Sequence, residues 1–262
     1  MVALLGALLV SVGTWAALRG GWRLPPRNIA AARDGRSMLT TLLAVLAAVY
    51  VFGPIGGLLI VISIAIHEFG HVAAFRVIGH TDAKFFLVPL MGGLAYSGRL
   101  PDREIESFFV SLMGPAICIA PVAVALALAE MLLVAEAPST PALLLGWFGV
   151  LTAFINAFNL LPLWPLDGGK CARNVLAPFA PGLAHWIGLG TAGLLVAYAW
   201  SQQNLLLLAF ALFFTFSALG AADLRSGQQP MRRGEALLGL LAWLSVFAFH
   251  AWAARDFLRA VL

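Results

Sequence analysis

The chain has 262 residues, of which 61% are hydrophobic and only 11% charged, with a mean hydropathy of +0.94. Soluble domains carry about 25% charged residues, so this chain has too few to cover a water-facing surface and reads as an all-α polytopic membrane protein. The net charge of +4 does not signal nucleic-acid binding, because the Lys and Arg residues sit in the gaps between apolar runs, where membrane topology puts them.

In chain order, about eight spans are expected, with six to eight as the range. They fall at roughly 1–18, 38–53, 55–78, 107–135, 142–162, 183–200, 204–223 and 235–254, judged against the ~20 apolar residues that a crossing takes. The first run begins at Met1 without a basic segment and has no small-residue cleavage site before Arg19, so it is read as a span rather than a leader. Residues 38–78 would make one helix of about 60 Å, and Gly53-Pro54 is the natural break, since proline cannot continue the hydrogen-bond ladder. That stretch therefore folds into a tight helical hairpin.

Charge placement tests this division. With eight spans, one side of the membrane receives Arg19, Arg23, Arg27, Arg33, Arg36, Arg76, Lys84, Arg99, Arg103, Lys170, Arg173, Arg225, Arg232 and Arg233, and the other receives Arg255 and Arg259. The bias makes the first side cytoplasmic and puts both termini on the non-cytoplasmic side of a cell membrane. Between the third and fourth spans, KFFLVPLMGGLAYSG (84–98) is apolar but too short and glycine-rich to cross. It reads as a β-hairpin or re-entrant loop held against protein.

The third span contains IAIHEFGHVAAF (64–75). His67 and His71, four apart on a helix, place two imidazoles on one face within reach of a single ion. Glu68 lies about 100° further round, near enough to act on water bound to that ion. Zinc lowers the pKa of such water, and a carboxylate beside it accepts the proton. Ionisable residues inside a span are costly and mark functional sites by default. Catalytic zinc usually takes three protein ligands, and Asp167 in NAFNLLPLWPLDGGKCAR (156–173) supplies a third, at the inner end of a span running in the same direction.

HEFGH followed by PLDGG resembles the site-2 protease family of intramembrane zinc metalloproteases, and SLMGP (111–115) is similar to that family's SLxGP helix. The resemblance covers about residues 55–175. It implies a catalytic core over 55–175 flanked by accessory spans at 1–54 and 176–262. One zinc ion would be held by His67, His71 and Asp167, with Glu68 as general base. Asn159 would line the site and hold the substrate backbone or the oxyanion; Asn156 is the second candidate, with the motif spacing favouring Asn159. Gly168 and Gly169 would let the backbone leave the helix after the ligand and let another segment approach. Gly92 and Gly93 would expose a strand edge that holds an unwound substrate by β-augmentation.

The implied substrates are single-span membrane proteins, cut near the cytoplasmic face, with a regulatory membrane partner or a homo-oligomer as further associations. Competing readings are a metal-handling transporter, which leaves Glu68 unexplained, and an inactive protease-like binding module, which would be expected to have lost a ligand or the base. His80, His185, His250, Glu130, Glu136 and Asp223 are given no role. Cys118, within an apolar run, and Cys171, in a short basic loop, are read as incidental thiols.

Overall fold

A backbone polar group inside a bilayer finds no water, so each must be bonded within its own segment, and a chain of this hydropathy folds into helices. The computed structural model describes residues 2–22, 35–89, 92–135, 139–220 and 227–255. The elements are α1 (Val2–Ala17), α2 (Gly35–Val77), β1 (Lys84–Val88), β2 (Gly92–Tyr96), α3 (Glu104–Ile117), α4 (Ile119–Val134), α5 (Ser139–Asn159), α6 (Asp167–Leu176), α7 (Leu183–Ser201), α8 (Leu205–Gly220) and α9 (Arg233–Ala253).

Five helical stretches among the described residues are long and apolar enough to cross a membrane: Ser37–Val77, Glu104–Val134, Thr140–Asn159, Leu183–Ser201 and Arg233–Ala253. The spans expected at 1–18 and 204–223 form the shorter apolar helices Leu5–Ala17 and Leu205–Gly220, below the ~20 residues of a full crossing. The described chain groups into two compact units. One holds Met1–Leu100, Met113–Ala157 and Ala248–Leu262, and the other holds Pro101–Leu112 and Phe158–Phe247. Arg23, Arg27, Arg33, Glu136, Asp223, Arg225 and Arg259 lie outside the described residues.

In the first unit α2 breaks at Gly53, whose φ of 73° and ψ of 169° are not helical. A Cβ on Gly57 would lie 2.6 Å from the Val49 Cα, whereas eight residues of straight helix span about 12 Å. The chain therefore doubles back at Gly53 as a helical hairpin. Strands β1 and β2 pair antiparallel, from Lys84 opposite Tyr96 to Val88 opposite Gly92, and pack on α2. α1 packs on α4. Val122, Ala153, Ala253 and Ala254 form a buried cluster, which draws the end of α9 against α4 and α5.

A polar clasp fastens the base of the β-hairpin. Asp82 accepts the Gly98 N–H through Oδ2 at 2.6 Å and the Ser97 hydroxyl through Oδ1 at 2.9 Å. Ser97 Oγ in turn stands 2.8 Å from Nδ1 of the buried His80, so that histidine belongs to the clasp. The bond from Gly98, foremost among the causes, holds the Asp82 carboxyl below its ordinary pKa.

The second unit has α7 against α8, with a core of Leu163, Ala192 and Phe214 joined by Phe158 and Phe210. Arg103 and Glu235 form an ion pair at 2.8 Å, and Trp243 Nε1 donates to the Leu160 carbonyl at 3.1 Å. Two expectations change in this unit. The span expected to run to residue 162 ends at Asn159, and the segment read as a basic loop is the helix α6, with Cys171 fully buried. Pro162 and Pro165 account for the early end, because each lacks an N–H and disfavours helix in the residue before it. Gly168 and Gly169 accordingly sit inside a helix rather than breaking one. They serve close approach: a Cβ on Gly168 would overlap the Leu160 carbonyl, and one on Gly169 would lie 2.6 Å from the Leu163 carbonyl carbon.

A depressed carboxylate pKa contributes stability that is present above the unfolded value and lost as pH falls through the folded one. Amide-exchange protection of Gly98 should therefore hold at neutral pH and fall as the pH drops below the ordinary aspartate value of about 3.9. In Asp82→Asn the protection should be lower at neutral pH and should lose this pH dependence.

Candidate metal centre

The second half of α2 runs through ISIAIHEFGHVAAF with unbroken helical character, and its 3.6-residue turn puts residues four apart one above the other. His67, Glu68 and His71 are 3%, 5% and 6% exposed. Each offers a ligand atom, and these atoms all lie within 4.8 Å of one another; this is the metal-capable His/Cys/Asp/Glu cluster among the described residues. The two Nε2 atoms face each other at 3.1 Å, with the rings edge to face at 82°. Two imidazole nitrogens bound at 2.0–2.1 Å to one tetrahedral ion would be about 3.3 Å apart. The donor set and its spacing fit a divalent metal.

Three neighbours in the same unit shape this cluster. The first is Asn156, fully buried on α5. Its Nδ2 donates to the Thr152 carbonyl at 2.8 Å, which fixes the orientation of the amide. Its Oδ1, 2.7 Å from His67 Nδ1, must then accept a proton from that nitrogen. His67 is held as the Nδ1–H tautomer, with the Nε2 lone pair turned toward His71. This is how a hydrogen-bond partner behind a ligating histidine selects the nitrogen that binds.

Gly114, of the SLMGP segment, is the second neighbour. A Cβ there would overlap the His71 ring at Cε1 and Nε2 and lie 3.0 Å from His67 Nε2. Only a glycine lets the end of α3 come this close to both imidazoles. Gly70 makes the matching contact from α2, since its Cβ would overlap the Met113 carbonyl. Gly93 is the third neighbour: a Cβ on it would overlap Glu68 Cγ and lie 2.7 Å from Oε1. Strand β2 thus forms a wall against the carboxylate. Gly92, beside it, has a φ of 96°, which an L side chain rarely adopts.

Asn159 and Asp167 lie in the second unit and bond to each other. Asn159 Nδ2 donates to Asp167 Oδ2 at 3.1 Å, and the Asp167 N–H meets Asn159 Oδ1 at 3.4 Å. Lys170 pairs with the other oxygen, Oδ1, at 3.0 Å. Asp167 is the first residue of α6, where the unpaired N–H groups and the helix dipole favour an anion. It is 3% exposed.

The structure brings His67, Glu68 and His71 together as expected, and it also sets Gly93 against Glu68. The sequence ranks Asn159 above Asn156, yet each asparagine has its own partner, Asn156 on His67 and Asn159 on Asp167. The role of Asn156 was signalled by its place in an apolar span, where an amide must find a partner. The role of Gly114 could not be read without knowing what α3 faces.

Comparison with known proteins adds a relationship. The chain is 25% identical over 167 residues to a zinc metalloprotease of Methanocaldococcus jannaschii, covering 62% of this chain and 47% of the relative. It is 27% identical over 201 residues to Rip3 of Mycobacterium tuberculosis, named as a candidate zinc metalloprotease, covering 72% of this chain and 51% of that protein. The chain is a relative of the zinc metalloproteases. The family resemblance carried by HEFGH, SLMGP and PLDGG is borne out at that level. As a zinc-metalloprotease relative, the chain spans about half the length of these curated relatives. A solved site-2 protease from Methanocaldococcus jannaschii aligns over 75% of this chain and 93% of its own, at 20% identity and a TM-score of 0.48. No family model matches the chain.

Replacing Asn156 by Ala should weaken divalent-metal binding by roughly 10- to 100-fold while leaving helical content intact, as read by chelator competition and circular dichroism. Gly114→Ala should weaken binding at least as much, because its methyl group would occupy the space of the His71 ring.

Proposed function

We propose that the protein is an intramembrane zinc endopeptidase that cleaves single-span membrane proteins near the cytoplasmic face. The observation that carries this reading is the meeting of the His67 and His71 Nε2 atoms beside the buried Glu68 carboxylate, on a helix apolar enough to cross a membrane. Zinc would be held by these two imidazoles and by Asp167, with Asn156 orienting His67. When bound, the ion supplies Lewis-acid polarisation of water and of the scissile carbonyl.

The chain's own groups do the rest. Glu68, buried and walled by Gly93, accepts the proton of the attacking water and returns it to the leaving amine. Asn159 lines the site and contributes an amide donor toward the oxyanion or the substrate backbone. A peptide bond in a helix has its carbonyl engaged, so the substrate must be extended before attack. Strand β2, through Gly92 and Gly93, the latter beside Glu68, pairs with the substrate through backbone hydrogen bonds. The catalytic core is residues 55–175, with 1–54 and 176–262 as accessory spans. The segregation of Arg and Lys supports a cell-membrane topology with both termini on the non-cytoplasmic side. Regulation falls to a membrane partner or to a second copy of the chain.

The decisive variant is Glu68→Gln. In proteoliposomes with a single-span substrate it should keep its zinc, measured by metal analysis, and lose roughly 10²- to 10⁴-fold in cleavage rate. Undiminished proteolysis would sink the assignment. Stripping the wild-type protein with a chelator should likewise abolish cleavage, and stoichiometric zinc should restore it.

A further inference from the structure

His250 has no place in the HExxH and LDGG motifs, yet it is fully buried near the end of α9. Its Nε2 lies 2.9 Å from the Pro115 carbonyl oxygen. A carbonyl only accepts, so Nε2 carries the proton. Nδ1 is buried with no partner among the described residues. A neutral ring fits this arrangement, because imidazolium would bury an unsatisfied N–H where the neutral form leaves only a lone pair.

The place of this bond gives it meaning. Pro115 has no N–H, so the Ser111 carbonyl loses its normal helical donor and α3 is weakened at this turn. The Pro115 carbonyl also receives the Cys118 N–H at 3.1 Å, closing a tight turn between α3 and α4. Immediately before it comes Gly114, where a Cβ would overlap His71 Nε2 and lie 3.0 Å from His67 Nε2. The turn of α3 that lacks a helical hydrogen bond is therefore the one that faces the two imidazoles. A side chain from the far end of the sequence holds it from behind. The ring is itself held, since Ala253 and Ala254 on the following turn are buried against Val122 and Ala153.

We infer that His250 is a positioning residue for the metal site: its Nε2–H bond to Pro115 fixes the α3–α4 turn, and so keeps Gly114 at the distance from His67 and His71 that leaves room for one ion. The inference rests on the proposed metal-site reading. It requires a hydrogen-bond donor at this position and does not require an imidazole. Glutamine can present its Nε2 amide to the same carbonyl, whereas leucine fills similar space without a donor.

The test compares His250→Gln, His250→Leu and the wild type in detergent, with zinc affinity from chelator competition and folding from circular dichroism. His250→Leu should bind zinc about tenfold or more weakly, and His250→Gln should stay within about threefold of wild type. Equal affinity in His250→Leu and wild type overturns the inference and leaves the metal-site reading intact. A folded His250→Gln as impaired as His250→Leu also overturns it, because ring packing and not the donor would then be what counts. If His250→Leu does not fold, His250→Gln decides alone: near-wild-type affinity supports the inference, and loss of affinity or of fold overturns it. Absence of zinc binding by the wild type sinks both this inference and the metal-site reading.

Discussion

Two imidazole nitrogens held 3.1 Å apart inside an apolar helical fold are the constraint on which the surrounding architecture depends. Both rings are buried, so each must be oriented by protein, and every backbone segment nearby must leave room for an ion. Asn156 meets the first demand by fixing the His67 tautomer. Glycines meet the second. Gly114, Gly93 and Gly70 bring α3, β2 and α2 to distances that any side chain would block. Small residues at helix contacts are the usual means of close packing where lipid removes the hydrophobic drive for association. Here the same device also shapes a polar centre.

Much of this was legible in the sequence, because its signals are local. HEFGH fixes a face of one helix through the 3.6-residue period. Gly53-Pro54 forces a break, and the structure folds back at that point. The short apolar piece at 84–98, with paired glycines, becomes an antiparallel hairpin. Less legible was what depends on which segments meet. The prolines at 162 and 165 end α5 early, and Asp167 then opens a helix instead of closing a span; hydropathy continues across both prolines and hides the boundary. His250 is a lone histidine in an apolar run, and only the fold brings its ring to the Pro115 carbonyl. Asn156 and Asn159 are close in sequence and chemically alike, and nothing local assigns each to a different acidic or basic partner.

The clasp at the base of the β-hairpin has a structural consequence. Strand β2 is pinned where Ser97 and Gly98 bond to Asp82, and near its other end Gly93 approaches Glu68 so closely that a Cβ would overlap it. Between these points lie a few extended residues at about 3.3 Å each, about 13 Å of strand that is paired with β1 along its length. Under the proposed function, a segment paired along β2 would lie beside the Glu68 carboxylate, so the strand that binds it and the wall of the acid are one element.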